Sequence, residues 1–127
     1  MRFGYTILYV RDVAASVRFY ERAFQQPARL VHESGQYAEL ETGPTTLAFA
    51  AHELASANLP NELAPGGRAG ADGFEVCFVT EDVERAYARA VEAGAEVVSE
   101  PRVKPWGQRA AYVRDPDGNL VEIASPA

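Results

Sequence analysis

The stretch Tyr112 to Ile123, YVRDPDGNLVEI, decides the fold of this 127-residue chain. Two short apolar segments, Ala110 to Val113 and Leu120 to Ile123, flank Asp115-Pro116-Asp117-Gly118. Proline fixes φ and glycine accepts φ > 0, so the pair reads as a β-hairpin. Its second strand carries an anomaly. Side chains alternate along a strand, so Val121 and Ile123 share one face while Glu122 falls with Leu120 on the other. A carboxylate in an apolar strand either sits on a wet face of an antiparallel sheet, the commoner case, or faces a ligand in a cupped one.

Working outward, the chain reads as two copies of one pattern. Tyr5 to Val10 (YTILYV) and Glu75 to Thr80 (EVCFVT) are strand candidates, followed by Asp12-Val13 and Asp82-Val83, 70 residues apart. Identity between the copies is low, and what repeats is the order of structural signals. Asp12 and Asp82 are suited to cap helices, because the side-chain oxygen accepts from free amides of the first turn. The first helix runs to about Phe24 with Val13, Val17, Tyr20 and Phe24 inward. The second runs to Ala93 with Val83, Tyr87, Ala90 and Val91 inward, and Gly94 ends it. Three strand candidates follow each helix: Ala28–Ser34, Tyr37–Glu41 and Thr45–Ala51, then Glu96–Pro101, Gln108–Arg114 and Leu120–Ala124. The pattern predicts an α+β fold of two tandem βαβββ modules. Module one spans 2–51 and module two 73–126 of a single domain, 1–127. The connector, 52–72, is rich in Pro, Gly and Ala, with one helical turn expected at Glu53 to Ala57.

Composition narrows the function classes. No apolar run approaches the length of a membrane span. MRFGYTILYV reads as a first strand rather than a secretory leader. The single cysteine, Cys77, excludes an internal disulfide and fits a reducing, cytoplasmic setting; it reads as a core residue rather than a nucleophile. A formal charge of −6 argues against a nucleic-acid partner, which needs clustered Lys and Arg. No serine elbow or phosphate-cradling glycine loop is present in the sequence.

At this point the residues carry a resemblance. YVRDVAASVRFYERAF, FVTEDVERAYARAVEAGAEV and WGQRAAYVRDPDGNLVEI resemble the vicinal oxygen chelate superfamily, which includes glyoxalase I, extradiol dioxygenases and the bleomycin resistance proteins. The resemblance implies paired modules forming a curved mixed sheet around a cleft, and a homodimer. It speaks to fold more than reaction, since one fold serves several chemistries.

The metal enzymes of that superfamily use one position on the first and one on the last strand of each module. Matched to this chain, these are Tyr5, Ala48, Glu75 and Glu122. Histidine is usual at the first and third, and Ala48 has no donor. Imidazole is a main ligand for Zn, Ni and Fe(II), so the resemblance here implies no metal cofactor. Mg²⁺ or Mn²⁺ held by Glu75 and Glu122 with waters is the alternative. His32 and His52 fall at none of the four positions and read as surface residues.

The remaining candidates describe a cleft for a small molecule. Period 2 aligns Tyr5, Ile7 and Tyr9 on one face of the first strand, and Glu75, Cys77 and Val79 on one face of its repeat. Tyr5, Tyr9 and Ala48 are expected to line a ligand. Trp106 either stacks on a planar ligand or covers a core edge. Tyr37 and Tyr112 fit either face of their strands. Phe49, Phe74 and Phe78 read as core. The leading expectation is a metal-independent protein, resembling the bleomycin resistance branch, that sequesters a planar cationic compound. Its rival is a glyoxalase- or dioxygenase-type enzyme with Glu75 and Glu122 as acid and base. A protein-interaction module is the third class.

Overall fold

The computed structural model describes residues 3–58 and 75–126. The chain divides into two compact units, residues 1–21 with 25–68 and residues 22–24 with 69–127. In the first, β1 (Tyr5–Val10) leads to α1 (Val13–Phe24), then β2 (Ala28–Val31), β3 (Tyr37–Leu40), β4 (Thr46–Ala51) and α2 (His52–Asn58). In the second, β5 (Val76–Val79) leads to α3 (Val83–Glu92), β6 (Glu96–Val103), β7 (Arg109–Arg114) and β8 (Leu120–Ala124). Each unit holds a four-stranded mixed sheet, ordered β1-β4-β3-β2 and β5-β8-β7-β6. The first strand pairs parallel with the fourth, and the remaining neighbours are antiparallel.

Both long helices begin as expected. The Asp12 carboxylate accepts from the amide of Ala15 at 3.0 Å, and Asp82 from that of Arg85 at 3.1 Å. Gly94, at φ +109°, closes the second helix. The first ends instead on Gln25, a non-glycine residue in the left-handed region at φ 55°. The inward stripe of α1 is Val13, Ser16, Phe19, Tyr20 and Ala23, with Val17 and Phe24 only half-buried. Tyr20 lies on Phe49 of β4 at 4.8 Å between ring centroids, so one aromatic pair joins α1 to the middle of its sheet. In α3, Val83 and Ala90 are buried, whereas Val91 is exposed, contrary to the expected stripe. The small Ala90 lets that helix lie close to β6, β7 and β8.

The strands sort their residues as period 2 requires. In the first sheet Leu8, Val10, Leu47, Phe49, Ala38 and Leu40 are buried, while Tyr5, Ile7 and Tyr9 remain exposed on the other face. In the second, Val113, Val121 and Ile123 are buried, while Glu75, Cys77 and Val79 are exposed and Tyr112 and Glu122 half-buried. Each sheet thus has a core face and an open face, and the open faces carry the polar chemistry. His32 falls in the turn after β2 rather than in the strand, its Nδ1 2.8 Å from Ser34 Oγ. His52 begins α2, which is longer than the single turn expected; the remainder of the connector, and Phe74, lie outside the described residues. Among the described residues, no helix is long and apolar enough to cross a membrane.

The β7–β8 hairpin is held by one side chain. Asp115 is buried, and its Oδ1 accepts from the amides of Asp117 at 2.9 Å and Asn119 at 2.8 Å. Its Oδ2 accepts from Asn119 Nδ2 at 2.9 Å. Gly118 takes φ +82°, which an L side chain rarely adopts. This turn fixes the β7–β8 register, and therefore which residues stand beside Glu122.

Candidate functional site

The open face of the second sheet assembles around Glu122. Strand pairing sets Glu122 opposite Cys77 on β5 and opposite Tyr112 on β7, with Ser99 of β6 beyond Tyr112. Glu75 lies two residues before Cys77, on the same side of the strand. Its carboxyl group is hydrogen-bonded to that of Glu122, which pushes Glu75 up to about 7, with partial burial and the like charge of Glu122 adding to the effect. The same carboxylate acts on its other neighbours. The Cys77 thiol is pushed up to about 11, by desolvation first and then by Glu122. Tyr112 is raised by desolvation and next by the Glu122 charge.

A cation already rests on this face. Lys104, from the end of β6, places Nζ 5.1 Å from the centroid of the Tyr112 ring. Trp106 sits in the turn between β6 and β7, 68% exposed, and its indole N–H donates to Gln108 Oε1 at 2.9 Å. Gln108 in turn donates to the carbonyl of Ser125 at 2.6 Å, so the turn is tied to the end of β8. Trp106 is therefore a solvent-facing ring on a braced turn and does not cover a core edge.

The open face of the first sheet differs. Pairing sets Ala48 opposite Ile7 on β1 and opposite Glu39 on β3. Comparison with the second sheet makes Ala48 the positional equivalent of Glu122, Ile7 that of Cys77, and Tyr5 that of Glu75. The carboxylate of this row stands one strand away, on Glu39, and is neutralised. Arg29 Nη2 donates to Glu39 Oε1 at 2.8 Å and the Tyr37 hydroxyl donates to Oε2 at 2.9 Å. Arg29 and then Tyr37 hold Glu39 below its ordinary range. Tyr37 is pushed up to about 12 by burial and by its bond to Glu39. Tyr5 and Tyr9 are 54% and 42% exposed on this face.

Among the residues expected from sequence, Glu75 and Glu122 are joined directly. Tyr5, Tyr9 and Ala48 share the open face of the other sheet, and Trp106 stands on its own turn. Sequence reasoning left the faces of Tyr37 and Tyr112 open, and it missed Arg29 and Glu39. Tyr112 was legible in principle: it is as far before the Asp115–Asn119 turn as Glu122 is after it. Arg29 was not, because it lies at an irregularity in β2, where the pairing slips between Ala28 and Leu30 and the alternation of faces is lost.

A family model described as the Glyoxalase/Bleomycin resistance protein/Dioxygenase superfamily matches residues 2–123. The chain belongs to this superfamily. YraH, an uncharacterised protein of Bacillus subtilis, is 30% identical over 117 residues, covering 91% of each chain. A virulence protein of Salmonella typhimurium is 27% identical, covering 97% of this chain and 83% of its own. Among solved structures, a glyoxalase-related enzyme from Fulvimarina pelagi superposes with a TM-score of 0.86 at 22% identity, covering 99% of this chain and 88% of that one. At that identity the likeness is one of fold. The superfamily's metal positions can now be tested against this member's side chains. The equivalent of Glu122 in the first sheet is the methyl group of Ala48, which offers no donor. Among the described residues no group of three or more His, Cys, Asp or Glu side chains is placed to hold a metal ion. The donors present do not fit a metal centre of that kind.

Proposed function

We propose that this superfamily member binds a small planar cation on the open face of its second sheet and sequesters it without a metal, as the bleomycin resistance branch it resembles does. The observation that carries the reading is the row Cys77–Glu122–Tyr112 with Glu75 beside it, two carboxyl groups and a ring on one exposed sheet face. A cation arriving between the carboxyl groups displaces the Glu75 proton and gains charge-assisted contacts. The Lys104 ammonium over Tyr112 is an intramolecular version of the same recognition. Trp106 supplies a stacking wall from the β6–β7 turn. The chain acts as a homodimer on this reading, which light scattering tests; a monomer at micromolar concentration overturns that part.

The test is calorimetric titration with 9-aminoacridine, a planar cation. Binding is expected to release a proton below about pH 7. Glu122→Gln should weaken it by roughly 1.5–3 kcal/mol, the value of a charge-assisted hydrogen bond. Trp106→Ala should cost on the order of 1–3 kcal/mol, by analogy with aromatic stacking on bases. If both variants bind as the parent does, the site is misplaced.

A second reading is favoured by one observation, the position of Glu75 near 7. A carboxyl group that exchanges its proton near neutrality suits general acid–base catalysis in a glyoxalase- or dioxygenase-type enzyme. Turnover of a glutathione thiol adduct or a catechol, lost in Glu75→Gln, would establish that reading instead.

A further inference from the structure

Residues 22–24, the last of α1, belong to the second compact unit, where Phe24 stacks on Phe78 of β5 with ring centroids 4.9 Å apart and planes 22° from parallel. Arg22, two residues earlier, lines a hollow of about 270 Å³ together with Arg89, Glu92 and Ala93 from the end of α3. Pockets for drug-sized ligands start at roughly 300 Å³, so an occupant here is small. Arg89, Glu92 and Ala93 meet because residues three and four apart share one face of a helix. Arg89 is half-buried, and Arg22 and Glu92 are exposed. Among the described residues, none of these three charged side chains makes an ion pair or a side-chain hydrogen bond.

Each arginine has an ordinary explanation taken singly, since a cation in the last turn of a helix complements its carbonyl end. That does not account for both opening on one hollow. Like charges there repel, and Glu92, within reach of Arg89 along the helix, leaves it unpaired. Two guanidiniums against one carboxylate give the lining one positive charge in excess. A carboxylate matches two planar forks of donors, and an ammonium group on the same molecule matches Glu92. A phosphate would bring its charge against Glu92 with no ammonium to offset it. We propose that this hollow binds a small α-amino acid, its carboxylate between Arg22 and Arg89 and its ammonium on Glu92. Because α3 packs on β6, β7 and β8 through Val83 and Ala90, the site lies on the helix-covered side of the second sheet, away from the face that carries Glu122.

Three probes sharing one carbon chain test it: L-norvaline, pentanoate and L-norvalinamide. With ¹⁵N-labelled protein at about pH 6, where norvaline is a zwitterion, norvaline should move the Nε–H resonances of Arg22 and Arg89. Norvalinamide, which lacks the carboxylate, should move neither. Pentanoate, which lacks the ammonium, should bind about fivefold more weakly than norvaline, a modest factor because Glu92 is exposed. Arg22→Gln and Arg89→Gln should each weaken norvaline by about tenfold. Glu92→Gln should weaken norvaline yet tighten pentanoate, a reversal that a merely structural role would not produce. Unmoved arginine resonances, an equal response to norvalinamide, or tighter binding of inorganic phosphate than of norvaline overturns the proposal. The resonance measurement needs no variant, so it decides the matter even if a substituted chain does not fold.

Discussion

Glu75 stands beside Glu122 on the open face of the second sheet, and the hydrogen bond between their side chains, with partial burial and the like charge of Glu122, pushes the Glu75 carboxyl up to about 7. The ordinary value for a glutamate is 4.5, and between the two the folded chain keeps a proton that the unfolded chain has released. Stability therefore falls as pH rises through that window, and the loss is complete above it. Glu75→Gln offers Glu122 an amide donor at every pH. The variant should melt higher than the parent at pH 8, by up to about 1 kcal/mol given the screening of so exposed a pair, and equally at pH 4.5. Equal melting at both pH values would show that Glu75 does not keep its proton in the folded chain.

Cys77 is an exposed residue that should nonetheless alkylate slowly. With its thiol near 11, roughly a thousandth is thiolate at pH 8, against a tenth or more for an unperturbed cysteine. Glu122→Gln should speed reaction with iodoacetamide without restoring the free-cysteine rate, because desolvation is the larger cause. Identical rates in parent and variant would mean that Glu122 does not act on the thiol.

Asp115 should matter more to stability than any residue on the open faces. Asp115→Ala removes the acceptor for one buried and one half-buried backbone amide and for the Asn119 side chain, at a cost on the order of 3 kcal/mol. Asp115→Asn keeps one acceptor oxygen and should cost about half as much. Urea unfolding reads both as lowered midpoints with an unchanged slope.

Chelation provides a fourth check. A metal bound only to the folded chain stabilises it by mass action, so removing it must lower the melting temperature. Protein purified without chelator is expected to melt at the same temperature before and after EDTA. A fall of several degrees would reverse the metal-independent reading.

What the sequence revealed and what it withheld follow from the range of the interactions involved. The caps at Asp12 and Asp82, the stop at Gly94 and the Asp115–Gly118 turn are local chemistry, and all were legible. The matching of Ala48 with Glu122 was legible because the chain repeats itself. Val91 was misplaced because the buried face of α3 is narrower than its apolar stripe, with Val83 and Ala90 buried and Val91 left in solvent. Gln25 escaped notice because nothing in its side chain announces a positive φ. Arg29 is the instructive case. Its role depends on one extra residue in β2 opposite β3, a property of two strands together, and no alternation pattern within β2 alone encodes it.

Ala48 has a consequence for any attempt to make the two sheets alike. Its methyl group is completely covered although it belongs to the open face, with Ile7 on one side and Glu39 on the other. A glutamate placed there would enter a position that is already packed, and would bring a second carboxylate beside the Arg29–Glu39 pair. Ala48→Glu alone therefore does not transplant the chemistry of one face onto the other: the asymmetry is written into packing as well as into the choice of side chain.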